Sequence, residues 1–153
     1  MKAKTIAIAI SLVFVSVALG YQDNPNMGTW KLNEKMSKFA GSARNHTVVY
    51  EAAGDQIKVT VDGVDANGGA VHSEWTGKFD GKGYPVTGDT TSDSRSYRMV
   101  NKNTLAMTAT KGGKQTLTAR IVVSADGKTR RVTTTATDAQ GKKVTNVAVY
   151  DKQ

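Results

Sequence analysis

Ile57-Lys58-Val59-Thr60-Val61-Asp62-Gly63 alternates apolar and polar side chains and then stops at Asp-Gly. A period of two places Ile57, Val59 and Val61 on one face of an extended strand and Lys58, Thr60 and Asp62 on the other. Asp-Gly supplies the positive-φ geometry that a tight hairpin needs. Working outward, the pattern returns at Leu117, Ala119, Ile121 and Val123, which alternate with Thr116, Thr118 and Arg120. Turn signals of the same kind recur at Gly54-Asp55, Asn67-Gly68-Gly69, Asp80-Gly81, Gly112-Gly113, Asp126-Gly127 and Gln140-Gly141. The intervals between them predict strands near residues 28–34, 44–52, 56–62, 70–79, 84–87, 95–100, 104–110, 115–124, 129–137 and 143–151. The only hint of helix is a short turn within residues 34–39.

Composition agrees with an all-β chain. Beyond residue 22 there are 18 Thr and 14 Val but only 3 Leu and 3 Glu, a balance that suits pleated, half-buried surfaces better than packed helices. Short strands joined by tight turns predict an antiparallel up-and-down β-barrel of about 8–10 strands, because closure removes the unpaired edges of an open sheet. A β-sandwich fits the same strands. With no cysteine, the chain has no disulfide framework, thiolate nucleophile or Cys-based metal site.

Lys2 and Lys4 precede the uncharged apolar run 6–19, and Ala18 and Gly20 place small residues three and one positions before a cleavage point after Gly20. This is the pattern of a secretory signal peptide over residues 1–20, leaving a single domain over residues 21–153. The run of 14 residues falls short of the roughly 20 that cross a bilayer as a helix. The expected location is therefore outside the cytoplasm, periplasmic or secreted. Residues 23–94 carry 7 basic and 10 acidic side chains, whereas residues 95–153 carry 12 basic and 3 acidic ones. Such asymmetry steers a protein toward anionic partners, and export turns the expectation away from nucleic acid and toward an anionic envelope surface, lipid or polysaccharide. Lys111, Lys114, Lys128, Arg130, Arg131, Lys142 and Lys143 would carry that contact. Solvated outer strand faces explain the same charges without a partner.

Gly28-Thr29-Trp30 on the first strand resembles the calycins, the lipocalins and fatty-acid-binding proteins with their lipocalin-like bacterial relatives. The closing Val147-Ala148-Val149-Tyr150-Asp151-Lys152 is similar to the last strand of fatty-acid-binding proteins. The resemblance implies that the last strand pairs with the first, that Gly28, Trp30 and Tyr150 have structural roles, and that the barrel binds a small hydrophobic or amphipathic ligand. A Trp on the first strand can plug the closed end, since its indole N–H needs only one partner. Two departures move the likeness away from fatty-acid carriers. Their ligand-binding Arg, two residues before the final Tyr, is replaced by Ala148, and residues 35–43 are too few for their helical lid.

Within a barrel, Trp75 and Phe79 are expected inside, with His72, Glu74, Thr76 and Lys78 outside. Together with Tyr50, Tyr97 and Met107 they are the candidate ligand-contacting residues, although a cavity and a filled core would use the same side chains. Arg98 and Arg120 are the candidate contacts for a ligand carboxylate, since an inward Arg in an apolar barrel demands an anion. Alternation with Tyr97 and Met99, and with Leu117 and Ile121, places both on the polar face instead. His72-x-Glu74 puts imidazole and carboxylate on one strand face, the arrangement a general-base pair or two metal ligands would need. No third ligand is dictated by spacing, no nucleophile elbow or phosphate-binding loop is present, and neither enzyme activity nor a cofactor or metal is expected. The expected assembly is a monomer.

Overall fold

The computed structural model describes residues 23–138 and 140–153; the predicted signal peptide lies outside the described residues. Ten antiparallel strands follow one another around a closed barrel, each hydrogen-bonded to its sequence neighbours, and the last closes against the first. They are β1 (Gly28–Leu32), β2 (Arg44–Ala53), β3 (Gln56–Val64), β4 (Ala70–Gly77), β5 (Asp80–Thr87), β6 (Ser94–Asn101), β7 (Thr104–Lys111), β8 (Lys114–Val123), β9 (Thr129–Thr137) and β10 (Lys143–Lys152). The up-and-down barrel is thus the architecture, and the sandwich is excluded by closure.

Closure is made by both chain ends. Trp30 stands opposite Lys152, Lys31 opposite Asp151 and Leu32 opposite Tyr150, while Thr29 and Trp30 pair on their other side with Val49 and Val48. β1 is too short to run the height of the barrel, and the connection after it completes the seam. Asn33 N–H donates to Val149, Lys38 and Val147 exchange two backbone hydrogen bonds, and Ala40 N–H donates to the Asn146 side chain at 2.7 Å. Between these contacts lies one turn of 3-10 helix, Glu34–Met36, capped by the Asn33 side chain.

Threonine abundance has a direct structural reading. Thr108, Thr118, Thr135 and Thr145 stand opposite one another across β7, β8, β9 and β10, on the face away from the interior. A β-branched residue with a hydroxyl satisfies both strand propensity and water.

One end of the barrel is packed solid. Trp30, Ile57, Val59, Trp75 and Leu105 are almost wholly buried there, with Phe79 and Val123 beside them. Trp75 lies 4.6 Å from the Tyr97 ring centroid in an edge arrangement and 6.5 Å from Phe79 in a stacked one. The indole of Trp75 donates to the Arg95 carbonyl at 2.9 Å, and that of Trp30 to the Asn26 carbonyl at 2.8 Å. Residues 24–27, which precede β1, therefore fold under the barrel as a floor that the strand pattern did not announce. Truncating a ring buried to this degree costs about 3–5 kcal/mol.

Two local departures from the expected strands matter for the interior. β4 ends at Gly77, so Phe79 reaches the core from the connection after it. β5 begins at Asp80, earlier than its composition suggested, but its registered pairs with β4 are only Glu74–Thr87 and Trp75–Val86. The space between the two strands holds the Tyr84 ring, 5.8 Å from Trp75.

Candidate functional site

The other half of the barrel is hollow. A cavity of about 550 Å³ opens at the end formed by the β1–β2, β3–β4 and β5–β6 connections, within the range that encloses drug-sized ligands. Its walls are largely apolar: Val48, Val61, Met107, Ala109, Leu117, Ile121, Val132 and Ala148 project from alternate positions of their strands. Tyr50, Tyr97 and Tyr150 reach it near the floor.

Arg130 is the unexpected member. It is only 2% exposed, stands opposite Tyr150 in the β9–β10 ladder, and lines the cavity. Its guanidinium carbon lies 4.8 Å from the Tyr150 ring centroid, 5.0 Å from Trp30 and 5.1 Å from Tyr50. The rings supply cation–π attraction but no lone pairs along the N–H bonds. Nε and Nη1 are buried without an acceptor among the described residues.

A second inward arginine, Arg95, is treated differently. Its Nη2 donates to Asp89 Oδ2 at 2.6 Å and reaches Ser73 Oγ at 3.4 Å. Asp89 also accepts from the Thr91 N–H and hydroxyl at 2.8 and 2.7 Å and from the Ser92 hydroxyl. Burial alone would raise the Asp89 carboxyl, but the hydrogen bonds from Ser92, Arg95 and Thr91 hold it well below the usual carboxylate range. Burial alone would lower Arg95, but Tyr97 and Asp89 keep it charged. The loop that delivers Asp89 turns at Gly88, whose φ is +74° and whose hypothetical Cβ would meet the His72 carbonyl at 2.0 Å, so only glycine fits.

The Tyr50 and Tyr150 phenols are neutral donors at physiological pH. Burial pushes Tyr50 upward, with Tyr97 adding to the shift and Arg130 opposing it. Burial also raises Tyr150, again against Arg130.

Of the candidate residues, Tyr50, Tyr97 and Met107 line the cavity, whereas Trp75 and Phe79 are inside the barrel but in its packed half and do not reach it. Arg98 and Arg120 lie exposed on the outer face of β6 and β8, away from the cavity, with Arg98 extended over Gly81. Met99, grouped with the inward set by alternation, is 44% exposed. Gly28 adopts φ +105° at the start of β1, where its hypothetical Cβ would touch the Lys152 side chain at 3.1 Å. Arg130 leaves the proposed cationic surface altogether.

Arg95 and Arg130 were both within reach of the alternation argument. Arg95 shares its parity with Tyr97, and Arg130 shares its parity with Val132. Arg130 was masked by its neighbours, because Lys128-Thr129-Arg130-Arg131 reads as one charged surface run.

His72 and Glu74 do come together, but on the outer face. His72 Nδ1 lies 2.6 Å from Asp62 and Nε2 3.6 Å from Glu74, which in turn binds Lys58 at 2.8 Å. The Asp62 hydrogen bond outweighs desolvation and raises His72 above its ordinary pKa. Among the described residues no three His, Cys, Asp or Glu side chains converge as a metal site.

No family model matches the chain, and no curated protein matches it significantly. Fold and site together define a closed ten-strand antiparallel β-barrel, consistent with a calycin-like fold, with a ligand-sized cavity open at one end.

Proposed function

We propose that this protein is an exported, lipocalin-like carrier that binds a small hydrophobic or amphipathic molecule inside its barrel, without covalent chemistry. The observation that carries this reading is the cavity of about 550 Å³ with apolar walls, a polar floor and an open mouth. Interiors are ordinarily packed to crystal-like density, so a space this large calls for an occupant. Export rests on the N-terminal sequence, and the lipocalin likeness on Gly28, Trp30 and Tyr150 at the strands that close the barrel.

The test titrates the full chain with fatty acids, sterols, retinoids and haem at low and high salt, following Trp fluorescence and melting temperature. Trp30 and Trp75 are buried near the cavity floor, so saturable quenching is expected with a rise in melting temperature that salt barely alters. No response to any of the panel would overturn the carrier reading.

A second reading has its own observation. Lys111 and Lys114 flank the β7–β8 turn and Lys142 and Lys143 the β9–β10 turn, all exposed and at the mouth end of the barrel. This rim suits an anionic lipid or polysaccharide surface. Retention on anionic vesicles that disappears as salt rises would support it.

A further inference from the structure

We propose that the cavity selects a ligand with a monoanionic head group, a carboxylate above all, which enters head first and lodges against Arg130 at the cavity floor. This rests on the carrier reading and adds the chemistry of the ligand to it.

The argument is a charge balance. Three arginines line the cavity. Arg44 sits at the mouth, with Nη1 donating to the Gly41 carbonyl at 2.9 Å and its guanidinium over the Phe39 ring, whereas Arg95 and Arg130 lie deeper, where a cation removed from water requires a counter-charge or hydrogen-bond acceptors. Arg95 has both, in Asp89 at 2.6 Å and Ser73 at 3.4 Å, so this pair is neutral as a unit and fixed to the wall beside the mouth. Arg130 has three aromatic faces and no acceptor for Nε or Nη1. The interior is thus short of one negative charge, at one place. A guanidinium presents paired N–H groups that match the two oxygens of a carboxylate. Tyr50 and Tyr150 flank the guanidinium with un-ionised hydroxyls that can donate to the same oxygens.

Orientation follows from the polarity gradient. The floor holds the cation, while Val48, Val61, Ala109 and Leu117 line the path to the mouth. An amphiphile with its tail toward the opening gives Arg130 its counter-charge, and the reverse pose would press an apolar tail against the guanidinium and leave that cation without one. A doubly charged head would carry one charge too many for this floor, and a cationic head would face like charge.

The experiment compares decanoate, decanol, decyl phosphate and decylamine as probes for the unmodified protein by isothermal titration calorimetry near neutral pH. The expected result is that decanoate binds at least about tenfold more tightly than each of the others. The preference should persist at high salt, since a contact at a buried floor is screened little while one at the lysine rim fades. R130M should bring decanoate and decanol to within about threefold of each other, and R130K should restore part of the preference because the charge remains but the fork is lost.

Equal binding of decanoate and decanol by the unmodified protein would overturn the anion proposal while leaving the carrier reading in place. Absence of binding by all four probes, with no response to the wider ligand panel either, would overturn both. Should R130M fail to fold, the four-probe comparison on the unmodified protein decides alone. Should R130M fold and keep the full preference for decanoate, Arg130 is a strut among Trp30, Tyr50 and Tyr150, and the proposal fails.

Discussion

At the scale of single residues, the two inward arginines show how one side-chain type acquires two roles from its surroundings. Asp89 makes Arg95 a structural element, and its own carboxyl is held down by the hydrogen bonds from Ser92, Arg95 and Thr91 in spite of burial. A carboxyl whose pKa falls on folding stabilises the folded state above its unfolded pKa of about 3.9 and loses that contribution as pH falls toward the folded value. The Asp89 side chain is only 14% exposed and Arg95 12%, so screening by water is modest. D89N should therefore lower stability at neutral pH by about 2–3 kcal/mol, the cost of leaving Arg95 buried without its charge partner. Its stability should also fall less steeply than that of the unmodified protein below about pH 4. Urea unfolding across that pH range checks both, and parallel curves for the two proteins would show that the Asp89 proton is not linked to folding. The sequence held part of this information. Parity with Tyr97 and Val132 would place Arg95 and Arg130 in the interior, but the charged run around Arg130 pointed to the surface instead. What tipped the balance was tertiary: Asp89 arrives from a loop, and the rings around Arg130 come from β1, β2 and β10.

At the scale of elements, strands were legible wherever apolar residues alternate between Gly-containing turns. β3 and β8 fall within two residues of their predicted limits, but β3 runs on through Asp62-Gly63, where a turn was expected, because both residues are paired with β2 and β4, and the chain turns only after Val64. β5 was shortened in prediction because Asp80-Gly81-Lys82-Gly83 offers no alternation and weak strand propensity. The structure keeps this stretch extended through its partner β6, with Asp80 opposite Arg98 and Gly83 opposite Ser96. On its other side the registered β4 partners face only Val86 and Thr87. A wall segment held by one neighbour should open at lower free energy than one held by two. Amide hydrogen exchange is expected to be faster at Lys82 and Gly83 than at Val59, Val61 or Ala119, which sit in strands paired on both sides. Equal protection at these positions would mean that the Tyr84 ring seals the seam as well as a hydrogen-bonded ladder does. The floor made by residues 24–27 was invisible in sequence for a related reason, since Asn24-Pro25-Asn26-Met27 has no periodicity and its place is set by the Trp30 indole.

For the molecule as a whole, the barrel divides into a half packed with rings and a half that is hollow, and the two halves do different work. Large aromatic residues come together where β1 and the N-terminal floor close the barrel, which fixes the fold without disulfides. Small residues at Ala109 and Ala148 leave the mouth half empty, forgoing the dispersion contacts that a filled interior would have. If that emptiness serves binding, filling it should separate stability from function. Ala148 is 8% exposed, faces the cavity from β10 one inward position from Tyr150, and stands opposite Val132. A148L adds apolar volume where space exists, so the variant should be as stable as the unmodified protein to within about 1 kcal/mol, or more stable. The same leucine would obstruct the route between the mouth and Arg130. For the unmodified protein, a ligand at about 100-fold its Kd adds about 2.7 kcal/mol to the folded state, worth about 10 °C in Tm for a chain of this size. A148L should lose most of that rise while melting no lower in the absence of ligand. A variant that melts normally and keeps the full ligand-induced rise would place the ligand somewhere other than in the barrel, and attention would pass to the lysines at its rim.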